Sequence, residues 1–180
     1  CLAAPASALA ADSPAWQMLR QGARVVLVRH GATSGGAGDP AGFQLEDCAT
    51  QRNLTEKGRA DAKAAGEKVR AQNIPVGKVI SSRWYRCRDT ASLMALGPIE
   101  IADTFNNAFI LRERIGELTR GAREMIARWK GPGVLVVVTH GANILPLTGV
   151  HPAEGEMIVV NPEPAADGRF QVIGRIASGS

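Results

Sequence analysis

The chain has 180 residues, of which 45% are hydrophobic, 21% are charged and 4% are aromatic. A chain of this length and composition buries about 70% of its unfolded surface as one domain, which excludes a miniprotein held together by disulfides alone. The 21 Lys and Arg against 17 Asp and Glu leave a net charge of +4. An excess this small, with few aromatics, excludes a nucleic-acid surface and favours a small anionic ligand.

The first eleven residues are small and uncharged, and Ala8-Leu9-Ala10 is similar to the end of a secretory signal. We therefore expect residues 1–15 to be a residual signal or disordered segment, and residues 16–180 to form one domain in the periplasm or outside the cell. Lipid attachment at Cys1 is a further option. No apolar run approaches the roughly 20 residues of a membrane helix, so no membrane span is expected.

Short β-branched runs alternate with segments of helical periodicity along the rest of the chain. Strands are predicted over residues 24–28, 78–82, 99–102 and 134–138, and helices over residues 55–72, 84–96 and 118–130. Residues 32–53 lack periodicity, and loops of this length are usually functional. The alternation predicts an α/β fold, a three-layer α/β/α sandwich with a mostly parallel sheet. Residues 156–161 and 169–176 predict an antiparallel hairpin at one edge.

Polar clusters follow three of the predicted strands. Arg29-His30-Gly31 comes after the first, Ser81-Ser82 with Arg86 after the second, and Thr139-His140-Gly141 after the strongest. Because ligands of open α/β sheets bind at the carboxyl ends of the strands, we expect these side chains at one site. Arginine forks suit phosphate oxygens, and nearby positive charge keeps a histidine neutral and nucleophilic. The pattern therefore indicates phosphoryl chemistry.

Four motifs in a fixed order have a more specific meaning. They are Val28-Arg29-His30-Gly31, Asn53-Leu54-Thr55-Glu56-Lys57-Gly58-Arg59-Ala60, Ser81-Ser82-Arg83-Trp84-Tyr85-Arg86 with Thr90-Ala91, and Val138-Thr139-His140-Gly141. Together, from about Arg24 to Ile176, they resemble branch 1 of the histidine phosphatase superfamily, which contains phosphoglycerate mutases and the phosphohistidine phosphatase SixA. Asp47-Cys48 and Arg86-Cys87 further resemble its small exported bacterial members.

The resemblance implies that His30 attacks phosphorus and becomes a phosphohistidine, which water then hydrolyses. The phosphoryl group of a small substrate would be bound by Arg29, Arg86 and His140, with Thr33 and Asn53 as secondary candidates. Asn53 is equally well explained as a turn residue before the Thr55 cap. No metal or other cofactor is implied, because the arginines supply the positive charge.

The general acid is where the sequence departs from the family pattern. Leu111-Arg112-Glu113 matches the family's glutamate segment in part, but the Gly-x-Trp-Glu-Gly segment near it is missing. Glu113 is therefore either the acid or a solvated residue in a charged run, and Glu156 is the other candidate. Without a well-placed acid, substrates with good leaving groups are favoured, such as phosphoramidates.

Two further residue types have open interpretations. Cys48 and Cys87 form either a disulfide that holds the first loop beside Arg86 or two free thiols, and export would favour the disulfide. His151, without a partner motif, is interpreted as structural.

The expected function is hydrolysis of a phosphomonoester or phosphoramidate. One alternative is a module that binds the same anions without turnover. A phosphomutase is less favoured, because the chain is short for one and lacks Gly-x-Trp-Glu-Gly. Neither the substrate nor the oligomeric state follows from the sequence.

Overall fold

The computed structural model describes residues 13–178, in which six strands form one sheet in the order β3-β2-β4-β1-β5-β6. The strands are β1 (Val25–Arg29), β2 (Val76–Ser81), β3 (Ile99–Ile101), β4 (Val134–Thr139), β5 (Met157–Pro164) and β6 (Phe170–Ile176). The α-helices are α1 (Pro14–Arg20), α2 (Glu56–Ala71), α3 (Tyr85–Met94), α4 (Ile115–Ala127) and α5 (Gly141–Thr148). Within these residues, no helix is long and apolar enough to cross a membrane.

The sheet is parallel on one side and antiparallel on the other. Strand β4 pairs in parallel with both β1 and β2, and β3 adds to β2 in the same direction. Strands β5 and β6 run antiparallel and close the far edge, with β5 hydrogen-bonded to β1. These pairings confirm the predicted α/β fold with a mostly parallel sheet and a C-terminal edge hairpin.

Helices cover both faces of this sheet, because successive strand residues point to opposite faces. Val26 and Val28 lie on the face covered by α1, α2 and α3, whereas Val25 and Leu27 face α4 and α5. All six residues of β4 are buried. A strand buried on both faces requires a continuous apolar run, which explains the sequence Val-Leu-Val-Val-Val.

Two helices were not predicted. Helix α1 begins at Pro14, two residues before the predicted boundary at residue 16, and buries Ala15, Trp16 and Leu19. Helix α5 contains Pro146, a residue that usually interrupts helices. Cys1 and Ala8-Leu9-Ala10 lie outside the described residues, and export and lipid attachment therefore stay predictions.

Two glycines of the motifs allow the loop after β1 to pack on the start of α2. A Cβ on Gly31 would lie 2.8 Å from the carbonyl oxygen of Gly58, and a Cβ on Gly58 would lie 2.2 Å from that of Ala32. The hydroxyl of Thr55 accepts a hydrogen bond from the Gly58 N–H and caps the helix. The backbones therefore approach at a distance that only glycine permits, and this contact fixes the peptide after His30.

Candidate active site

A cavity of about 680 Å³ opens at the carboxyl ends of β1 and β4. Its charged and imidazole lining consists of Arg29, His30, Arg52, Arg86, His140 and Glu154, with the exposed His151 also in the wall. The predicted convergence of Arg29, His30, Arg86 and His140 is therefore present in the structure. Arg52 and Glu154 were not predicted.

His30 directly follows β1 and is almost completely buried. Its Nδ1 lies 2.9 Å from the carbonyl oxygen of Gly31. Because a carbonyl oxygen only accepts hydrogen bonds, this contact places the ring proton on Nδ1 and leaves a lone pair on Nε2. Burial, aided by the charges of Arg86 and Arg29, lowers the pKa of His30 to about 3 despite its bond to Gly31. The imidazole is therefore neutral and has a free basic nitrogen.

His140 stands at the N-terminus of α5, with its ring centroid 5.4 Å from that of His30. Its Nε2 lies 3.0 Å from the hydroxyl of Ser82, which is itself 3.4 Å from Oδ1 of Asn106. Burial lowers the pKa of His140 well below its ordinary value, and the neighbouring His30 adds to the effect. The cavity therefore contains two neutral imidazoles, each with one ring nitrogen held by a protein contact.

Arg86 lies in the first turn of α3 and makes a buried ion pair with Asp39, a residue that sequence analysis missed. Its Nη1 and Nη2 donate to the two carboxylate oxygens of Asp39 at 2.7 and 3.2 Å, and Nη1 also lies 3.5 Å from the carbonyl oxygen of Arg52. A guanidinium has five N–H donors, so these three bonds leave two unused. Asp39 therefore orients Arg86 without using all of its hydrogen-bonding capacity.

The three arginines of the cavity each have an unpaired donor in the described part of the chain, a feature that Arg24 and Arg123 outside the cavity share. Arg29, Arg52 and Arg86 each have a buried Nε–H without a hydrogen-bond partner among the described residues. An unsatisfied buried N–H costs about 1–3 kcal/mol, and a site that keeps three such donors is suited to an anion. Arg52 is held by a hydrogen bond from its side chain to the carbonyl oxygen of Gly36. Arg29 donates to the carbonyl oxygen of Pro152 at 2.9 Å.

The carboxylate that lines the cavity is Glu154. Its Oε1 accepts a hydrogen bond from the Thr33 hydroxyl at 3.2 Å and lies 3.7 Å from Nη2 of Arg29. Glu113 is exposed in a short 3-10 turn, and neither it nor Glu156 lines the cavity. The structure therefore places neither predicted candidate in the cavity wall, and the identity of the acid stays a prediction.

The turn before β5 explains why Glu154 lines the cavity and Glu156 does not. Glu156 pairs with Arg175 of β6 at 2.6 Å and accepts the Ala153 N–H at 2.8 Å, which lowers its pKa. Gly155 has a φ of +75° and separates Glu154 from Glu156. The two glutamates consequently have different partners. The Glu-Gly-Glu sequence indicates a carboxylate near this edge of the sheet, but which of the two glutamates faces the cavity depends on the conformation of the turn.

The two secondary phosphate candidates have different positions. Thr33 lines the cavity and forms an isolated antiparallel bridge with Leu54. Asn53 does not line it, and its amide donates to the carbonyl oxygen of Cys48 at 2.8 Å. Asn53 therefore holds the first loop in shape, in agreement with its interpretation as a turn residue.

The predicted disulfide is absent, since both Cys48 and Cys87 are free. Cys87 is buried, with Sγ 3.4 Å from Nε2 of His140, and Cys48 contacts the side-chain oxygen of Asn53 at 3.6 Å. Burial raises the pKa of Cys87 to about 12, so its thiol stays protonated. The structure therefore contradicts the disulfide, because the two thiols face different partners. The first loop is held on α3 by polar contacts, one of which is the Asp39–Arg86 ion pair.

This combination of a mixed sheet, helices on both faces and a histidine–arginine cavity at the carboxyl edge defines the phosphoglycerate mutase-like histidine phosphatase fold. Residues 25–110 match the sequence model of the histidine phosphatase superfamily (branch 1), so this part of the chain is similar to that superfamily. This match, together with the SixA-like fold, supports a phosphatase activity in general. No curated protein matches the chain.

Similar solved structures show the same fold at low identity. The protein histidine phosphatase SixA complexed with tungstate has a TM-score of 0.58 at 15% identity, covering 86% of this chain and 96% of its own. A mycobacterial glucosyl-3-phosphoglycerate phosphatase has a TM-score of 0.56 at 18% identity, with coverages of 85% and 95%. A phosphoserine phosphatase from Entamoeba histolytica, in complex with 3-phosphoglyceric acid, has a TM-score of 0.55 at 14% identity, with coverages of 86% and 97%.

Proposed function

We propose that this protein hydrolyses a phosphomonoester or phosphoramidate through a phosphohistidine formed on Nε2 of His30. The observation that supports it most directly is the contact between Nδ1 of His30 and the Gly31 carbonyl oxygen at 2.9 Å. This contact orients the ring, fixes its tautomer and leaves Nε2 as the nucleophile at the base of the cavity. The low pKa of His30 means that no proton has to be removed before attack.

The phosphoryl oxygens are proposed to bind the unused donors of Arg29, Arg52 and Arg86. Their buried Nε–H groups have no partner among the described residues, and an oxyanion would satisfy them. The N-terminus of α5 adds a favourable field, since Gly141 and Ala142 line the same cavity. Phosphoryl transfer depends mainly on positioning and on stabilisation of the oxygens, which these groups provide together.

His140 is proposed to donate to the same phosphoryl group. The Ser82 hydroxyl has one proton, and we assign it to Nε2 of His140 at 3.0 Å and not to Oδ1 of Asn106 at 3.4 Å, because that oxygen already accepts the Arg83 N–H. The ring proton of His140 then resides on Nδ1. A neutral imidazole then acts as a hydrogen-bond donor without adding a second nucleophile to the reaction.

The reaction has two steps. Nε2 of His30 forms a bond to phosphorus while the bond to the leaving oxygen or nitrogen breaks, and Glu154 gives that atom a proton. Water then attacks the phosphohistidine, the phosphorus–nitrogen bond breaks, and the Glu154 carboxylate accepts the proton that the water loses. Glu154 is proposed for this role because its carboxylate lines the cavity, whereas the Asp39 carboxylate is buried against Arg86.

Replacement of His30 tests the function. His30→Asn should abolish release of inorganic phosphate from a panel of phosphomonoesters and remove acid-labile phosphate from the quenched protein. His151→Asn is the matched control, because it removes an imidazole from the same cavity wall and should keep both signals. Retained turnover in His30→Asn would refute the proposal. Tight oxyanion binding without turnover in the wild type would indicate the non-catalytic alternative, and isomer formation without phosphate release would indicate a mutase.

A further inference from the structure

The cavity has an apolar side that the phosphoryl chemistry does not use. Phe109 and Leu145 line it and are 40% and 42% exposed, two of the four most exposed large hydrophobic side chains of the described chain. Ala142 also lines the cavity and lies three residues before Leu145 on α5, so the two share one face of that helix. Phe109, Ala142 and Leu145 are called the apolar mouth below. Exposed aromatic and aliphatic groups at the entrance of a polar site mark a ligand surface.

The wall contributed by the first loop has almost no side chains. It consists of Gly35, Gly36, Ala37 and Gly38, and a Cβ added to Gly35 or Gly36 would have no atom within 4 Å. A Cβ on Gly38 would lie 3.4 Å from Cε1 of Phe109, so this loop contacts the aromatic ring through a residue without a side chain. The first loop therefore lines the cavity without a large side chain that would exclude a ligand.

Few polar side chains of the cavity lining lie outside the proposed phosphate site. Besides the arginines, His30, His140 and the Thr33–Glu154 pair, the polar side chains that line the cavity in the described part of the chain are Asn107 and the exposed His151. The Asn107 side-chain oxygen already accepts the Phe109 N–H at 3.1 Å. A polyhydroxylated substrate would lose water at the apolar mouth and find few partners to replace it, which costs binding energy.

Building on the proposed phosphatase function, we propose that the apolar mouth binds the organic group of the substrate, and that the substrates are phosphomonoesters of alkyl or aryl alcohols. The guanidinium of Arg112 lies 4.6 Å from the Phe109 ring centre, and its Nε donates to the Phe109 carbonyl oxygen at 3.0 Å. These two contacts hold the ring in place. Phe109 and Leu145 then determine which organic group is bound. His30 and the arginines contact only the phosphoryl group, which all these substrates share.

Straight-chain alkyl phosphates test this directly, because ethyl, butyl and hexyl phosphate share nearly the same leaving group. The kcat/KM should rise by up to about fourfold for each added methylene that the mouth covers. Propyl phosphate should also exceed glycerol 1-phosphate by about tenfold, although the glycerol oxygen is the better leaving group. A flat series, or a preference for glycerol 1-phosphate, would overturn the proposal.

Substitutions locate the effect. Phe109→Ala and Leu145→Asn should each reduce the hexyl-to-ethyl ratio of kcat/KM by about fivefold to tenfold. Ile101→Ala and Ile115→Asn change side chains of the same exposure, 43% and 42%, outside the cavity and should keep the wild-type ratio. An unchanged ratio in the two mouth variants would exclude the mouth as the binding surface.

Alkylphosphonates separate this inference from the catalytic proposal, because their carbon–phosphorus bond resists hydrolysis. Calorimetric affinity should increase from ethylphosphonate to hexylphosphonate in the wild type and should not increase in Leu145→Asn. If no ester is turned over but this trend appears, the phosphatase proposal fails and the apolar mouth stands. If esters are hydrolysed but the phosphonate trend is missing, the mouth proposal fails alone.

Discussion

The side chains of Arg86 and Asp39 form a two-bond ion pair that is buried almost completely, at 1% and 0% exposure. Asp39 also accepts hydrogen bonds from the indole of Trp84 at 2.9 Å and from the Arg52 backbone N–H at 3.1 Å. One carboxylate thus joins the first loop to the arginine expected to bind phosphate. Because a buried charge is costly without its partner, this pair should stabilise the loop and orient Arg86 together.

Replacing Asp39 should therefore destabilise the fold. Asp39→Asn leaves the Arg86 charge buried without a counterion, and we expect a loss of about 3–5 kcal/mol in the free energy of unfolding. Urea unfolding followed by circular dichroism measures this value. Asp61→Asn removes the partner of the exposed Lys57 and should cost at most about 1 kcal/mol. Equal losses in the two variants would contradict the buried pair.

Arg52 should be as important for anion binding as Arg86, although no motif indicated it. Arg52→Met removes one of the three unpaired donors of the cavity, and a charge-assisted hydrogen bond contributes about 1.5–3 kcal/mol. The inhibition constant of tungstate should rise by about tenfold to a hundredfold. Arg123→Met is a matched control, because Arg123 has a similar unpaired Nε–H but does not line the cavity. An Arg52 variant that binds tungstate as tightly as this control would be evidence against the role.

The predicted site residues that lie in the cavity have a local reason for their position. His30 and His140 each follow a buried strand directly, so an apolar run and the residue after it were enough to place both histidines at the carboxyl edge of the sheet. Arg86 lies in the first turn of the helix after β2, at a short and constrained distance from its strand. For these three, the position of the side chain follows from secondary structure that the sequence pattern reveals.

The residues that were missed depend on contacts between distant segments. Glu154 faces the cavity because the Gly155 N–H lies 3.0 and 2.9 Å from the carbonyl oxygens of Arg29 and His30, which fixes the turn across the sheet edge. Asp39 lies in a loop without periodicity, and its position depends on Arg86, 47 residues away. A signal for Asp39 did exist in principle: a motif arginine that becomes buried requires a nearby carboxylate.

The two buried histidines predict an unusual pH dependence of stability. Burial lowers the pKa of His30 to about 3 and that of His140 well below 6.5, while both titrate near 6.5 in the unfolded chain. Below that pH the unfolded chain binds more protons than the native one, so stability decreases as the pH falls. Each histidine contributes a slope of about 1.4 kcal/mol per pH unit.

Urea unfolding between about pH 6 and 5 measures this slope, in a range where carboxylates of ordinary pKa remain ionised. His30→Asn should have a slope that is shallower by the contribution of one histidine. Should the variant and the wild type have the same slope, His30 would not be a buried neutral imidazole in the native state.

The proton donor is tested by the dependence of rate on the leaving group. Glu154→Gln should lower kcat/KM for phenyl phosphate by about 10²–10⁴-fold, because the departing oxygen then leaves without a proton. The loss should be at most about tenfold for 4-nitrophenyl phosphate, whose leaving group needs little protonation. Glu113→Gln, which changes an exposed carboxylate outside the cavity, should leave both rates at the wild-type value. Equal losses on the two substrates in Glu154→Gln would assign Glu154 to the positioning of Arg29, 3.7 Å away, and not to proton transfer.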